Sequence, residues 1–219
     1  ASWFAPKNYQ LTESDLNRDD TLWNKNHSAP LADGRIVEKN SFRRSNYFDF
    51  VGQECRHVQS SVGILDMSAF SKASVEGSDS ETWLNSILAN KVPSKPGRIA
   101  LCHMLSLNGG VRAEFTVYRK SRNSFYLVFS GATERHDWDY LNKLLPKHGS
   151  INIQNITTQK GVFVIAGPKS RSLLQKLTDT SLDNEHFPWL TGKTVNIGYG
   201  IADASVSYTH LTLPTKQDV

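Results

Sequence analysis

A carboxylate inside a β-type run either faces water or serves as a general base and a counter-charge. Glu114 poses that choice most sharply in this chain. It stands in Glu114-Phe115-Thr116-Val117-Tyr118, shortly after Asn108-Gly109-Gly110. Its neighbours Ala113 and Phe115 leave both roles open, although a strand carboxylate more often simply meets solvent. Phe70 and Tyr118 are strand-type aromatics, which usually pack in a core. His103, next to Met104, reads as a satisfied structural histidine. Asp66 reads as a turn cap, and Asp137 and Trp138 as surface and packing positions on a helix. Cys55 and Cys102 have no metal-type spacing, and both read as small buried residues.

The elements around these residues follow from periodicity and punctuation. Phe48, Val51, Cys55, Val58 and Val62 recur every three or four residues, which predicts a helix over 47–60 ended by Gly63. A strand is expected from Ile64 to Glu76. Ser78-Asp79-Ser80-Glu81 has the form of a capping box opening a helix through Trp83, Leu84, Ile87 and Leu88. Strands over 98–105 and 111–119 flank Asn108-Gly109-Gly110, a hairpin signal, and 124–130 forms a third strand. A helix then opens at Gly131-Ala132-Thr133, with Trp138, Leu141 and Leu145 on its apolar side. Two further strands, 151–156 and 161–166, precede a helix after Gly167-Pro168 with Pro at its first position, burying Leu173, Leu174 and Leu177. The resulting fold class is α+β, with mixed or antiparallel sheets and packed helices. No Gly-x-Gly-x-x-Gly or P-loop pattern is present, so no dinucleotide fingerprint appears.

The chain has 219 residues and a formal charge of +4, with basic residues scattered instead of blocked. A nucleic-acid surface is therefore not expected. No apolar run approaches the roughly 18 residues of a membrane span, so no membrane partner is expected either. Residues 1–45 are polar but carry Trp3, Phe4, Tyr9 and Trp23, which predicts a connector that packs on another domain. At the other end, Val206-Ser207-Tyr208-Thr209-His210-Leu211 through Thr215 resembles an in-frame translation of a transposon-type sequencing adapter. Residues 205–219 are expected to have that origin, so Tyr208 and His210 receive no functional role. The alternative is a terminal strand over Val206–Leu213.

Four stretches taken together resemble a known family. They are Val62-Gly63-Ile64-Leu65-Asp66-Met67-Ser68 with Phe70; Leu88-Ala89-Asn90 followed by Gly97-Arg98-Ile99-Ala100; His103-Met104-Leu105 through Asn108-Gly109-Gly110 to Glu114 and Tyr118; and Ala166-Gly167-Pro168 with Leu173, Leu174 and Leu177. Their order and spacing resemble the folate-binding aminomethyltransferases of glycine cleavage, the T-proteins. They are still more similar to the C-terminal part of dimethylglycine and sarcosine dehydrogenases. Trp3-Phe4-Ala5-Pro6 and the segment from Phe48 to Glu54 resemble the linker of that dehydrogenase subgroup. On this reading residues 1–45 connect to a flavin (FAD) oxidoreductase domain outside this chain. Residues 46–204 are part of the folate-binding domain, whose later Gly-Glu-x-Gly segment lies beyond the chain.

The resemblance implies a chemistry. A flavin oxidises an N-methyl amine, and tetrahydrofolate captures the resulting iminium as 5,10-methylenetetrahydrofolate. The implied partners are folate, the amine-derived iminium and the protein's own FAD domain. Glu114 stands where the family carries an essential Asp beside the reactive folate nitrogen, and is implied to be the catalytic carboxylate. Phe70, Leu101, Thr116, Tyr118 and Ser130 match positions lining the folate pocket, Leu101 in place of a Tyr common in T-proteins. The implied compartment is the mitochondrial matrix in a eukaryote and the cytoplasm in a bacterium. Two other readings compete: a folate-binding fold without transferase activity, and a plain interaction module.

Overall fold

The computed structural model describes residues 48–207. The chain divides into two units, residues 1–60 and 61–219. Of the first, the described part is helix α1, Phe48–Ser60, with Asp49 in its first turn and His57 in its last. The Asp49 charge suits the N-terminal end of the helix dipole. None of its residues is buried. Val51 and Val58 of the predicted apolar stripe are half-buried, whereas Cys55, expected to be buried, is exposed. The connector assigned to residues 1–45 lies outside the described residues.

The second unit is built around a five-stranded antiparallel sheet of order β3-β4-β5-β2-β6. The strands are β2 (Ser71–Glu76), β3 (Ile99–Leu105), β4 (Val111–Ser121), β5 (Ser124–Phe129) and β6 (Asn152–Asn155). One face carries Cys102, Met104, Phe115, Val117, Phe125, Leu127, Phe129, Ala73 and Val75, all buried. Helices α2 (Ser80–Ile87) and α3 (Glu134–Lys143) cover it with Trp83, Leu84 and Leu141. Trp83 ties the two helices together, its indole N–H donating to the Leu144 carbonyl at 2.8 Å. At the β3–β4 turn Gly109 takes φ 79°, where a side chain would be strained.

The expected strand from Ile64 to Glu76 is broken in two. β1 (Gly63–Asp66) leaves the main sheet to pair with β7 (Phe163–Ala166). The break lies at Asp66, whose carboxylate accepts the Ser68 amide at 2.8 Å, and the Phe70 amide then bonds the Met67 carbonyl at 3.0 Å. A local side-chain acceptor competes with the ladder and wins. Asp66 does cap a turn, and that turn ends the strand.

The capping box also does not form. α2 starts after Asp79, which makes no side-chain cap, and Ser80 Oγ instead donates to the Gly77 carbonyl at 2.8 Å. Glu81 turns away to Arg119, its Oε2 2.7 Å from Nη2. Arg119 is 4% exposed, and its guanidinium also donates to the carbonyls of Pro93, Ser94, Ser121 and Arg122. That knot pins the loop before β3 to the end of β4.

After β7, helix α4 (Ser170–Gln175) follows Lys169, so Pro168 lies before the helix and not at its first position. Leu173 and Leu174 are half-buried, whereas Leu177 is 51% exposed, contrary to expectation. A hairpin that periodicity did not reveal completes the unit: β8 (Thr191–Ile197) and β9 (Gly200–Val206). Its own small core joins Leu182, Phe187, Val195 and Val206. Val206, inside the segment assigned to the adapter, pairs with Thr191 and is buried. A β-branched residue suits that position whatever its origin. The rest of that segment past Ser207 lies outside the described residues. Every strand pairing described is antiparallel. The fold class is α+β, as expected.

Candidate functional site

Register decides which side chains share a face, because side chains alternate along a strand. Cys102 pairs with Phe115, Phe115 with Phe129 and Phe129 with Ser71, and this row belongs to the core. The rows on either side therefore face the other way. One is Leu101–Thr116–Val128–Lys72 and another is Ile99–Tyr118–Tyr126–Ser74. His103 opposite Glu114 begins a third. Ser130 and Phe70 lie one residue beyond the last β5–β2 pair, where this third row continues. Ser71 Oγ closes that end by donating to the Ser130 carbonyl at 3.1 Å.

Four of the six predicted site residues, Leu101, Glu114, Thr116 and Tyr118, thus fall in three successive rows on the face away from the helices, while Phe70 and Ser130 lie just past the ends of β2 and β5. They differ in cover. The hairpin β8–β9 lies over the Tyr118 row: the Ile99 amide donates to the Leu190 carbonyl, Gly192 to Gly97, and Lys120 pairs with Asp203 at 2.8 Å. Tyr118 is 7% exposed, with its ring against the Gly192 backbone. Burial and the nearby Asp203 charge raise the hydroxyl pKa of Tyr118 and push that of Tyr126 up to about 12. Asp203 itself is pushed up by burial, yet hydrogen bonds from Lys120 and Thr194 hold it below the usual carboxylate range. At the other end the face is open. Glu114 keeps 52% of its side chain exposed and Leu101 is 36% exposed, with Thr116 half-buried between strands.

Three residues near this face were not anticipated. His103, read as structural, reaches Glu114 with Nε2 at 3.2 Å from Oε2. Asn90 binds the outer edge of β3, donating to the Leu101 carbonyl at 2.9 Å and accepting the His103 amide at 3.2 Å. Lys72 is fully buried, its ammonium donating to the carbonyls of Ser68 and Thr157 at 2.8 and 3.0 Å. Burial lowers its pKa, against the charges of Glu134 and Asp66. The His103 partnership was hidden by a bulge, since the register shifts between Met104 and Leu105. Counting pairs outward from the Asn-Gly-Gly turn therefore comes out one residue wrong. Among the described residues no cluster of His, Cys, Asp and Glu suits a metal. No described helix is long and apolar enough to cross a membrane.

The family model of the GCVT N-terminal domain matches residues 3–210. The chain belongs to that family. It is 39% identical over 171 residues to mitochondrial dimethylglycine dehydrogenase of Mus musculus, covering 77% of this chain and 20% of that protein. It is 26% identical over 181 residues to the mitochondrial pyruvate dehydrogenase phosphatase regulatory subunit of Mus musculus, covering 82% and 21%. The chain therefore spans about a fifth of the length of these relatives. Among solved structures, glycine cleavage system aminomethyltransferase T from Bartonella henselae superposes with a TM-score of 0.57 at 19% identity, covering 64% of this chain and 37% of that one. That likeness bears on the fold alone. It agrees with a T-protein-like domain.

Proposed function

We propose that this domain binds a reduced folate on the open end of its sheet face and captures a one-carbon unit there, with Glu114 as the catalytic carboxylate. The observation that supports the reading most is that Leu101, Glu114, Thr116 and Tyr118 share one face, the acid at its exposed end, with Phe70 and Ser130 just past the strand ends beside it. A flat heterocycle suits that surface: aliphatic Leu101 beside it and a carboxylate at its edge. When the folate amine attacks an iminium carbon, a C–N bond forms and the nitrogen must lose its proton. Glu114 accepts that proton, and its negative charge steadies the cationic carbon before attack. A second C–N bond to folate then expels the amine, which leaves with a proton. The product is 5,10-methylenetetrahydrofolate.

Tyr118 supports the site from below and offers no open ring face. The oxidation that generates the iminium belongs, on this reading, to an FAD domain outside this chain, and no flavin step is routed through these residues. The domain boundaries at 45 and 204 are part of the same proposal, as is a mitochondrial matrix location if the source is eukaryotic. A second reading, a domain kept for regulation without transfer chemistry, is favoured by the relative named a regulatory subunit. Titration of the protein carrying the complete folate domain with a reduced folate, followed by tryptophan fluorescence, separates the two. Saturable binding that Glu114→Ala weakens about tenfold or more supports the first. No binding by the unaltered chain supports the second. In a protein carrying the flavin domain, Glu114→Ala is expected to spare amine oxidation while formaldehyde replaces the folate product.

A further inference from the structure

We infer that His103 is the positioning residue for Glu114, holding one carboxylate oxygen so that the other meets the ligand; this rests on the folate reading above. The strand pairing carries the argument. The backbone N–H of His103 is taken by Asn90 Oδ1, and its carbonyl accepts the Ala89 amide at 2.8 Å. Both groups thus point outward, away from β4. His103 and Glu114 therefore form a non-hydrogen-bonded pair of the antiparallel ladder, the kind whose side chains approach closest.

A carboxylate only accepts, so the 3.2 Å contact fixes the imidazole with its proton on Nε2. Oε2 is occupied by that donor and Oε1 is left for the ligand. Glu has one more rotatable bond than the Asp implied by the family resemblance, and so more freedom to lose on ordering. The histidine supplies the restraint that the longer arm needs. Asn90 sets it in place by acting as a short surrogate strand on the sheet edge, with Nδ2 on the Leu101 carbonyl as well.

The test is a titration of the protein carrying the complete folate domain with 5-formyltetrahydrofolate, a stable reduced folate. Gln places an N–H where the imidazole has Nε2, whereas Asn reaches only the Nδ1 position. His103→Leu and His103→Asn are expected to weaken binding about tenfold, with His103→Gln within about threefold of the unaltered chain. The pair is exposed and adds little to folding, so circular dichroism should be unchanged in all three. Equal affinity in Leu, Asn and Gln variants would overturn the inference while leaving the folate reading intact. Absence of binding by the unaltered chain would overturn both. Should a variant not fold, the imidazole ¹⁵N spectrum of the unaltered chain decides: the His103 Nε2 signal must move on adding the folate, and an unmoved signal counts against the role.

Discussion

The backbone of Gly192 lies flat against the ring of Tyr118. A methyl group on residue 192 would stand 2.8 Å from Cε2 and 3.0 Å from Cζ. Such a separation is too short for carbon atoms, and Tyr118 is buried and cannot swing aside. Gly192→Ala is therefore expected to cost about 1–3 kcal/mol by overpacking. The strain should lift the β8–β9 hairpin from the sheet. Amide exchange at Ile99 and Gly192, whose bonds join the two, would speed up in the variant. Unchanged protection there would show that the hairpin is not held by this contact.

Arg119 should not tolerate Lys. Its guanidinium serves four backbone carbonyls and Glu81 at once and lies 5.0 Å from the Phe125 ring centroid. An ammonium has three donors and no plane to stack. Arg119→Lys leaves carbonyls buried without partners, a loss of about 2–4 kcal/mol. Urea denaturation measures it, and a midpoint equal to that of the unaltered chain would rule it out.

The two thiols should differ sharply. Burial pushes the Cys102 thiol up to about 11, while Cys55 is exposed on α1. Only thiolate reacts with alkylating reagents. At pH 8 one thiol per folded chain is expected to react with iodoacetamide, and peptide mapping should place it at Cys55. Both should react in denaturant. Rapid labelling of Cys102 in the folded chain would contradict its burial.

Glu134 gives a pH dependence whose sign is fixed. The Asn155 amide hydrogen bond holds its carboxyl below the usual Glu range. Burial opposes this, and bonds from Thr157 and Ser71 and the Lys72 charge assist it. A depressed folded pKa contributes stability that is complete above the ordinary value of 4.5 and is lost as pH falls through the lower folded value. Glu134→Gln removes that charge, and with it part of the compensation of the buried Lys72 ammonium. The variant should lose about 1–2 kcal/mol at pH 7. The gap should narrow below about pH 4.5, where the unfolded chain takes up a proton before the folded one does. A difference independent of pH between 3 and 7 would count against the charge as the cause.

Much of the central architecture was legible because its signals are local. Asn108-Gly109-Gly110 dictated a turn, the β-type runs at 98–105 and 111–119 beside it gave its strands, and Trp83, Leu84 and Leu141 marked the covering helices. What escaped was non-local or competitive. Asp66 could be read as a turn cap, yet its power to divert the chain between two sheets depends on β7, about a hundred residues later in sequence. Glu81 looked like a capping residue but had a stronger partner in Arg119, at the far end of β4. The β8–β9 hairpin has little apolar alternation because its cover is Leu182 and Phe187, brought in from an irregular segment. At the candidate site the residue types came through a resemblance. Their convergence on one face, and the histidine beside the acid, needed the register.

The β1–β7 ribbon consists of two four-residue strands, fewer than a sheet needs to stand alone. Ile64, Leu65, Phe163 and Val164 on it are 40–66% exposed. Its attachments include the Val162 amide on Ser68 Oγ, the Lys72 ammonium on the Ser68 carbonyl, and the backbone bonds Met67 to Val162 and Lys169 to Ser61. On warming, fraying should begin here, well before the helix-backed strands loosen. Freed aliphatic edges would then stick to those of other copies, so turbidity should precede loss of the tryptophan signal from Trp83.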